Sequence, residues 1–488
     1  MANRSPMLDL RPVGYVIGLL VTVLGATMIL PLIMDLFDGN PHWQVFAITG
    51  FLTCLTGVFL AIACVNGTGD GLTIQQTFLM TTSVWSILPI FGALPFWIGA
   101  TDARFVDAFF EAMSGLTTTG STVFTGLETL PRGLLLWRGL LQWFGGIGIV
   151  VVAMVFLPML RVGGMQIFRT ESFDTFGKIL PRAAEIARSI FGIYLSLTVL
   201  CAMAYLVGGL TPFEASVLAL TTIATGGFAP SDASFADLGA AVEYVAVVFM
   251  ILAALPFVRY VQILGGSARP ILHDSQVRAF MSVVLAIVLA LTLWQLTGNP
   301  GEVELAFRKA LFNGTSILTG TGFASADYMT WGGFPIAIFF LIGLVGGCAG
   351  STTCSIKVFR FQLLFASIYA QVRKIHSPSG VFSPRYQGRK IADDVLSSVM
   401  AFFMLFMVTL AVLSVLLSLT GLDFLTAISG AATALANVGP GLGPEIGPSG
   451  HFGNLNDPAK WLLIAAMLIG RLELMSVYVL FTLSFWRR

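Results

Sequence analysis

Thr117-Thr118-Thr119-Gly120 is the stretch on which the fold turns, a polar, backbone-exposing run in a chain that is otherwise almost wholly apolar. It returns three times, as Ala224-Thr225-Gly226-Gly227, Thr319-Gly320-Thr321-Gly322 and Val438-Gly439-Pro440-Gly441. Phe228, Phe323 and Leu442 follow the final glycine of the three later copies. A short apolar segment leads into each copy and a full-length one follows. Four copies of one short-segment, glycine-turn, long-segment unit predict fourfold pseudosymmetry about an axis. Such an axis suits a pore.

Composition places the rest. Of 488 residues, 56% are hydrophobic and only 10% charged, far below the quarter or so usual in soluble domains. The mean hydropathy is +0.88. The chain reads as an integral membrane protein. Cys54, Cys64, Cys201, Cys348 and Cys354 all lie in apolar stretches, which predicts neither a disulfide framework nor a metal site. Residues 1–12 are polar and basic and precede an apolar run long enough to remain as a span, so no cleavable leader is expected.

A hydrocarbon core ~30 Å thick takes about 20 apolar residues per helix. By that measure spans are predicted at 13–37, 43–65, 73–100, 133–160, 185–209, 238–264, 277–297, 333–370, 392–420 and 459–486. Between them lie four shorter apolar pieces, 105–117, 212–223, 304–318 and 423–437. At ~1.5 Å rise per residue these reach roughly half way across, as pore helices ending at the glycine turns would. The predicted fold is an all-α polytopic membrane protein. Two leading helices (1–70) precede four membrane-pore-membrane units at 71–182, 183–275, 276–390 and 391–488.

Charge supports this plan. Lys and Arg collect on the cytoplasmic side of membrane proteins. With both termini inside, most of the 26 basic residues fall on that side. Arg104, Arg132, Arg138, Arg308, Lys309 and Lys460 are left outside, and Arg471 within a span. The longest loops, 161–182 and 371–390, are cytoplasmic in this scheme and too short to be domains. Arg373, Lys374, Arg385, Arg389 and Lys390 make the second basic, which suits lipid headgroups or a cytoplasmic subunit rather than nucleic acid.

A cation crossing a membrane exchanges its hydration shell for protein oxygens, and rings of backbone carbonyls supply them in known filters. Glycine lets successive carbonyls face one side, and threonine adds hydroxyls. A half-helix ending at each turn points its partially negative C-terminus at the axis. Non-helical backbone at this depth is tolerated only where it is buried in protein or lines a water-filled cavity. Asp107, Glu111, Glu214, Glu304 and Asp423 lie near the predicted outer mouth, either concentrating cations or serving as ordinary helix N-terminal residues. Gly145-Gly146-Ile147-Gly148 has no preceding strand to make it a nucleotide loop. The four histidines are scattered, and no catalytic constellation assembles.

Several stretches together resemble the TrkH family of bacterial potassium-uptake proteins. They are 140–148 (Leu-Leu-Gln-Trp-Phe-Gly-Gly-Ile-Gly), Leu157-Pro158-Met159-Leu160, Gly163-Gly164-Met165-Gln166, 223–228, 437–443 and Gly470-Arg471-Leu472-Glu473. The resemblance covers essentially the whole chain. It implies the pseudo-tetrameric fold shared with KtrB and plant HKT transporters, and K⁺ as the transported ion. It also implies a homodimer in the inner membrane and a cytoplasmic TrkA-type nucleotide-binding partner. In relatives, Gly at the first filter position favours K⁺, a set that Gly120, Gly227, Gly322 and Gly441 would complete here. The resemblance leaves a Na⁺-permeable or ion-coupled relative as the alternative.

Two features remain. The span 333–370 is interrupted by Gly346-Gly347-Cys348-Ala349-Gly350-Ser351-Thr352-Thr353-Cys354-Ser355, which matches an intramembrane loop that blocks the pore in the family. Its glycines predict a weakly held gate, and Lys357 and Arg360 beyond it are where a partner would pull. Arg471 has no acidic residue three or four positions away. It is expected to point into water as a barrier below the filter, with an inter-helix ion pair as the alternative.

Overall fold

The computed structural model describes residues 9–67, 72–152, 183–267, 269–298 and 300–486. The loop 161–182, the end of the span 133–160 and the motifs at 157–160 and 163–166 lie outside these residues. The chain is an all-α polytopic membrane protein, with one two-residue antiparallel hairpin, Arg385–Tyr386 against Arg389–Lys390, as its named strands among the described residues.

Seven helices are long and apolar enough to cross a membrane among the described residues, and two further pairs are bent. The leading helices, Arg11–Thr27 with Ile29–Phe37 and then Trp43–Cys64, pack through small residues. A Cβ on Gly18 would fall 2.5 Å from the Ala61 backbone nitrogen, and one on Gly25 would fall 2.7 Å from that of Cys54. Lipid provides no hydrophobic drive between helices, so close backbone approach supplies the packing energy.

The four half-helices form as expected: Phe105–Leu116, Pro212–Ile223, Val303–Leu318 and Phe424–Ala436. They sit in the centre of the molecule, most of their residues buried. Thr211 and Glu214 make a reciprocal capping box ahead of Pro212. The Asp423 carboxylate accepts from the backbone N–H groups of Leu425 and Thr426. Each cap satisfies donors a helix start leaves unpaired.

Beyond the one-residue interruptions at Met28 and Ala93, three predicted spans are broken outright. The stretch 238–264 is Ala240–Ala254 followed by Phe257–Leu264 at 90°, because Pro256 cannot donate a backbone bond and its neighbour Leu255 is held extended. The stretch 459–486 is Asp457–Arg471 followed by Met475–Phe481 at 104°. Glu473 and Leu474, both left-handed, make that break. The stretch 333–370 is Gly333–Gly343 and Val358–His376 with the loop between.

Candidate functional site

Each half-helix ends in the same hydrogen-bonded turn. The N–H of Thr119, Gly226, Thr321 and Val438 donates to the carbonyl five residues back, at Ser114, Thr221, Ser316 and Thr433, over 2.9–3.0 Å. The N–H of Thr118, Thr225, Gly320 and Asn437 donates three residues back, to Gly115, Thr222, Ile317 and Ala434. These four residues are left-handed, with φ of 51°, 50°, 70° and 53°. The pattern is the Schellman helix stop, repeated four times.

The turns then touch in sequence. Gly120, Gly227, Gly322 and Gly439 all have positive φ, from 82° to 106°. A Cβ on Gly120 would strike the Gly226 carbonyl oxygen, one on Gly227 that of Thr321, and one on Gly322 that of Val438. All three approaches are closer than 3.0 Å, which real Cβ atoms do not take, and a Cβ on Gly439 would come within 2.9 Å of the Thr119 oxygen. Unit one meets two, two meets three, three meets four, and four returns to one. The ring is closed.

The fourth copy therefore has a different register from the one its glycines suggest. Asn437-Val438-Gly439 matches Thr118-Thr119-Gly120, and Pro440 takes the place of Phe228 and Phe323. Gly441 lies beyond the ring: its N–H donates to the Ile446 carbonyl over 2.7 Å, and its φ is not positive. The all-glycine set is completed by Gly439. The shifted register keeps a hydroxyl residue five positions ahead of each ring carbonyl (Ser114, Thr221, Ser316, Thr433) and puts asparagine, which tolerates it, in the left-handed position.

Beneath three of the turns lies the loop. Cys354 Sγ is 3.6 Å from Thr118 Oγ1, Ser355 N–H donates to the Ala436 carbonyl over 3.0 Å, and Gly320 faces the Cys354 backbone. Gly346, Gly347, Gly350, Ser351, Thr352 and Thr353 all belong to this segment, and the last three are buried. It is held more closely than its glycines suggest. Cys348 N–H donates to Ala254 (3.1 Å), Phe257 N–H to the Gly350 carbonyl (2.9 Å), and Ala349 N–H to Gln276 Oε1 (2.9 Å). Thr352 Oγ1 bonds the Ala253 carbonyl at 3.1 Å. Backbone freed by the broken 238–264 helix satisfies backbone freed by the loop.

Arg471 does not point into open water. It is 3% exposed, with Nη1 donating to Cys354 Sγ over 2.5 Å and Nη2 to the Gly145 carbonyl over 2.9 Å. Its guanidinium lies 5.4 Å from the Trp85 ring centroid, and it has no carboxylate partner among the described residues. The inter-helix ion pair belongs instead to Arg360 and Glu473. Lys357 is buried and folds back on the Thr353 carbonyl and Oγ1, and Arg360 stacks 3.9 Å from the Phe402 ring centroid. Neither is placed for a partner to grasp directly.

A family model described as TrkH, cation transport protein, matches residues 42–487. The chain belongs to the TrkH family. It is 44% identical to the Trk system potassium uptake protein TrkI of Halomonas elongata, over 98% of this chain and 97% of that one. It is 36% identical to the TrkH of Vibrio parahaemolyticus, over 98% and 100%. The crystal structure of the potassium transporter TrkH from Vibrio parahaemolyticus superposes with a TM-score of 0.90 at 34% identity, covering 98% of this chain and all of that one.

In this TrkH-family chain the acidic residues near the ring are engaged structurally. Glu111 is fully buried, accepts from Arg138 Nε (2.8 Å) and Val123 N–H (2.9 Å), and lines no open mouth. Asp107 pairs with Arg104 and Lys460, and Glu304 with Arg308. Glu214 and Asp423 are caps. Four of the cations counted on the outer side lie within the predicted helices: Arg138 within Arg132–Val151, Arg308 and Lys309 within a half-helix against Glu243, and Lys460 within Asp457–Arg471. Arg138 also donates to the Ala229 carbonyl (2.9 Å) and sits 4.1 Å from the Phe228 ring centroid, tying unit one to unit two. Pairing across 27 residues leaves no short-range signature in sequence, and neither does Gln142, which bonds turn two from another unit.

Proposed function

We propose that this protein takes up potassium across the bacterial inner membrane, with the ring of four turns as its selectivity filter. The filter residues are Thr117-Thr118-Thr119-Gly120, Ala224-Thr225-Gly226-Gly227, Thr319-Gly320-Thr321-Gly322 and, shifted by two residues from Val438-Gly439-Pro440-Gly441, Ala436-Asn437-Val438-Gly439. The observation that carries this reading is the closed contact of each ring glycine with the next unit's carbonyl. A dehydrated cation needs such a cage of backbone oxygens, and four half-helix C-termini around it add a favourable field.

In this reading the units divide at about residues 70, 182, 275 and 390. The loop from Gly346 to Ser355, with Lys357 and Arg471, closes the path below the filter. The chain works as a homodimer with both termini cytoplasmic, in contact with membrane lipid. A TrkA-type nucleotide-binding subunit opens it by favouring a state in which the loop has moved. Because Lys357 and Arg360 are buried, that partner docks on the exposed basic surface of 371–390. Its pull reaches the loop through the Val358–His376 helix.

The test is isotope flux in proteoliposomes with K⁺ and Na⁺ gradients. Gly439→Ser is expected to raise Na⁺ permeation relative to K⁺, and Gly441→Ala to leave the ratio at the wild-type value. If Gly439→Ser assembles and leaves reversal potentials unchanged, the ring is not the filter.

A further inference from the structure

Turn two differs from the others at one position. The residue before the ring glycine is Thr119, Thr321 and Val438 in units one, three and four, but Gly226 in unit two. In units one and three the hydroxyl of that residue bonds a second threonine, Thr119 to Thr117 at 2.7 Å and Thr321 to Thr319 at 2.8 Å. Unit two has Ala224 and Gly226 there, and so neither hydroxyl.

The space is not empty. A Cβ on Gly226 would collide with the side-chain amide of Gln142, which lies on the Arg132–Val151 helix of unit one and is fully buried. Both ends of that amide are engaged. Nε2 donates to the Gly226 carbonyl over 2.5 Å, and Oε1 accepts from Phe228 N–H over 3.0 Å. The two bonds fix the amide's orientation and bracket Gly227 on both sides. The Gly226 oxygen is also the one Gly120 faces across the ring. Among the described residues, the matching carbonyls of Thr119, Thr321 and Val438 accept no hydrogen bond.

We infer that Gln142 stands in for the side chain Gly226 lacks, and that it is a positioning residue setting ion selectivity through the second filter carbonyl. The inference rests on the filter reading above. Losing Gln142 removes the one bond held on that carbonyl and frees the neighbouring Phe228 N–H, and the loss of one bond of ordinary strength at the carbonyl corresponds to roughly a tenfold rise in the Na⁺/K⁺ permeability ratio.

The test is a double-mutant cycle in proteoliposomes, reading reversal potentials. Gln142→Ala is expected to raise the ratio about tenfold. Gly226→Thr alone, with Gln142 in place, is expected to lose K⁺ flux because the new side chain has no room. Gln142→Ala combined with Gly226→Thr is expected to bring the ratio back to within about threefold of wild type, since unit two then carries the residue of units one and three. A merely structural glutamine predicts no such rescue. If Gln142→Ala fails to assemble, Gln142→Met keeps the volume without the two bonds and should raise the ratio by itself. An unchanged ratio in Gln142→Ala or Gln142→Met, while Gly439→Ser shifts it, overturns the inference and leaves the filter reading standing. A double variant no closer to wild type than Gln142→Ala also overturns it. No shift in any variant overturns both.

Discussion

The ring of four turns and the loop beneath it are both non-helical backbone buried inside a helical protein, and they are held by different means. Each turn closes on its own half-helix, through bonds three and five residues back. The loop closes partly on itself, as where Gly346 N–H donates to the Ile356 carbonyl, and partly on distant chain, at Ala253, Ala254, Phe257, Gln276 and Ala436. A locally bonded turn keeps its shape wherever its helix goes. A loop that is also bonded to four other segments depends in addition on where those segments lie. On the proposed reading, the same contrast separates the filter, which holds an ion, from the gate, which moves.

The sharpest way to break the comparison is at the ring. Gly120→Ala, Gly227→Ala and Gly322→Ala each drive a Cβ into the neighbouring carbonyl at positive φ, and K⁺ uptake by cells lacking other uptake systems should fall to background. Wild-type uptake in any of the three would show that the ring tolerates expansion.

Next is the support behind it. Removing one partner of a buried ion pair costs ~3–5 kcal/mol, so Glu111→Ala should markedly lower the thermal unfolding midpoint of the detergent-purified protein. Glu304→Ala should change it little, because the Glu304 side chain is itself exposed and Arg308 keeps its pairing with Glu243.

The loop should respond in the opposite direction to the ring. Deleting 347–353, or replacing Arg471 with Ala, should raise K⁺ flux in proteoliposomes, since a fixed cation at 4 Å opposes a permeating one by about 4 kcal/mol at an effective dielectric of 20. The loop-deleted protein should also stop responding to the proposed nucleotide-binding subunit. Normal assembly with unchanged flux and an intact response would remove the loop from gating.

The smallest effect is at a cap. Thr426 and the backbone N–H groups of the first turn hold the Asp423 carboxyl below the usual carboxylate range. That stabilisation is present above the ordinary carboxylate pKa and is lost as pH falls through the lowered, folded one. Asp423→Ala should cost ~1 kcal/mol at neutral pH. The difference between variant and wild-type melting temperatures should shrink as the medium is acidified toward that range.

How much of this could be read in the chain differs from element to element. The half-helix at 212–223 was legible to the residue, because Thr211-Pro212 with Glu214 starts it and Thr225-Gly226 stops it with local chemistry. In the fourth turn the glycine expected from spacing and the glycine in the ring differ by two residues. Its extra Pro440-Gly441 imitates the glycine spacing of the others, and only contact with units one and three singles out Gly439. The bent stretches 238–264 and 459–486 looked like spans because hydropathy counts apolar residues and is blind to Pro256 and to left-handed Glu473 and Leu474. The sequence alone points Arg471 into water, because a lone charge in an apolar run has no visible partner. Its partners, Cys354 and the Gly145 carbonyl, are 117 and 326 residues away.

The sequence by itself determined the membrane class, the four repeated units and the residues able to stop a helix in a left-handed turn. These depend on apolar length and on bonds within a few residues. Only the tertiary structure decided which glycines close the ring, how the loop is held and where the buried charges go. Those depend on backbone carbonyls and side chains brought together from different units, and no local pattern records such a meeting.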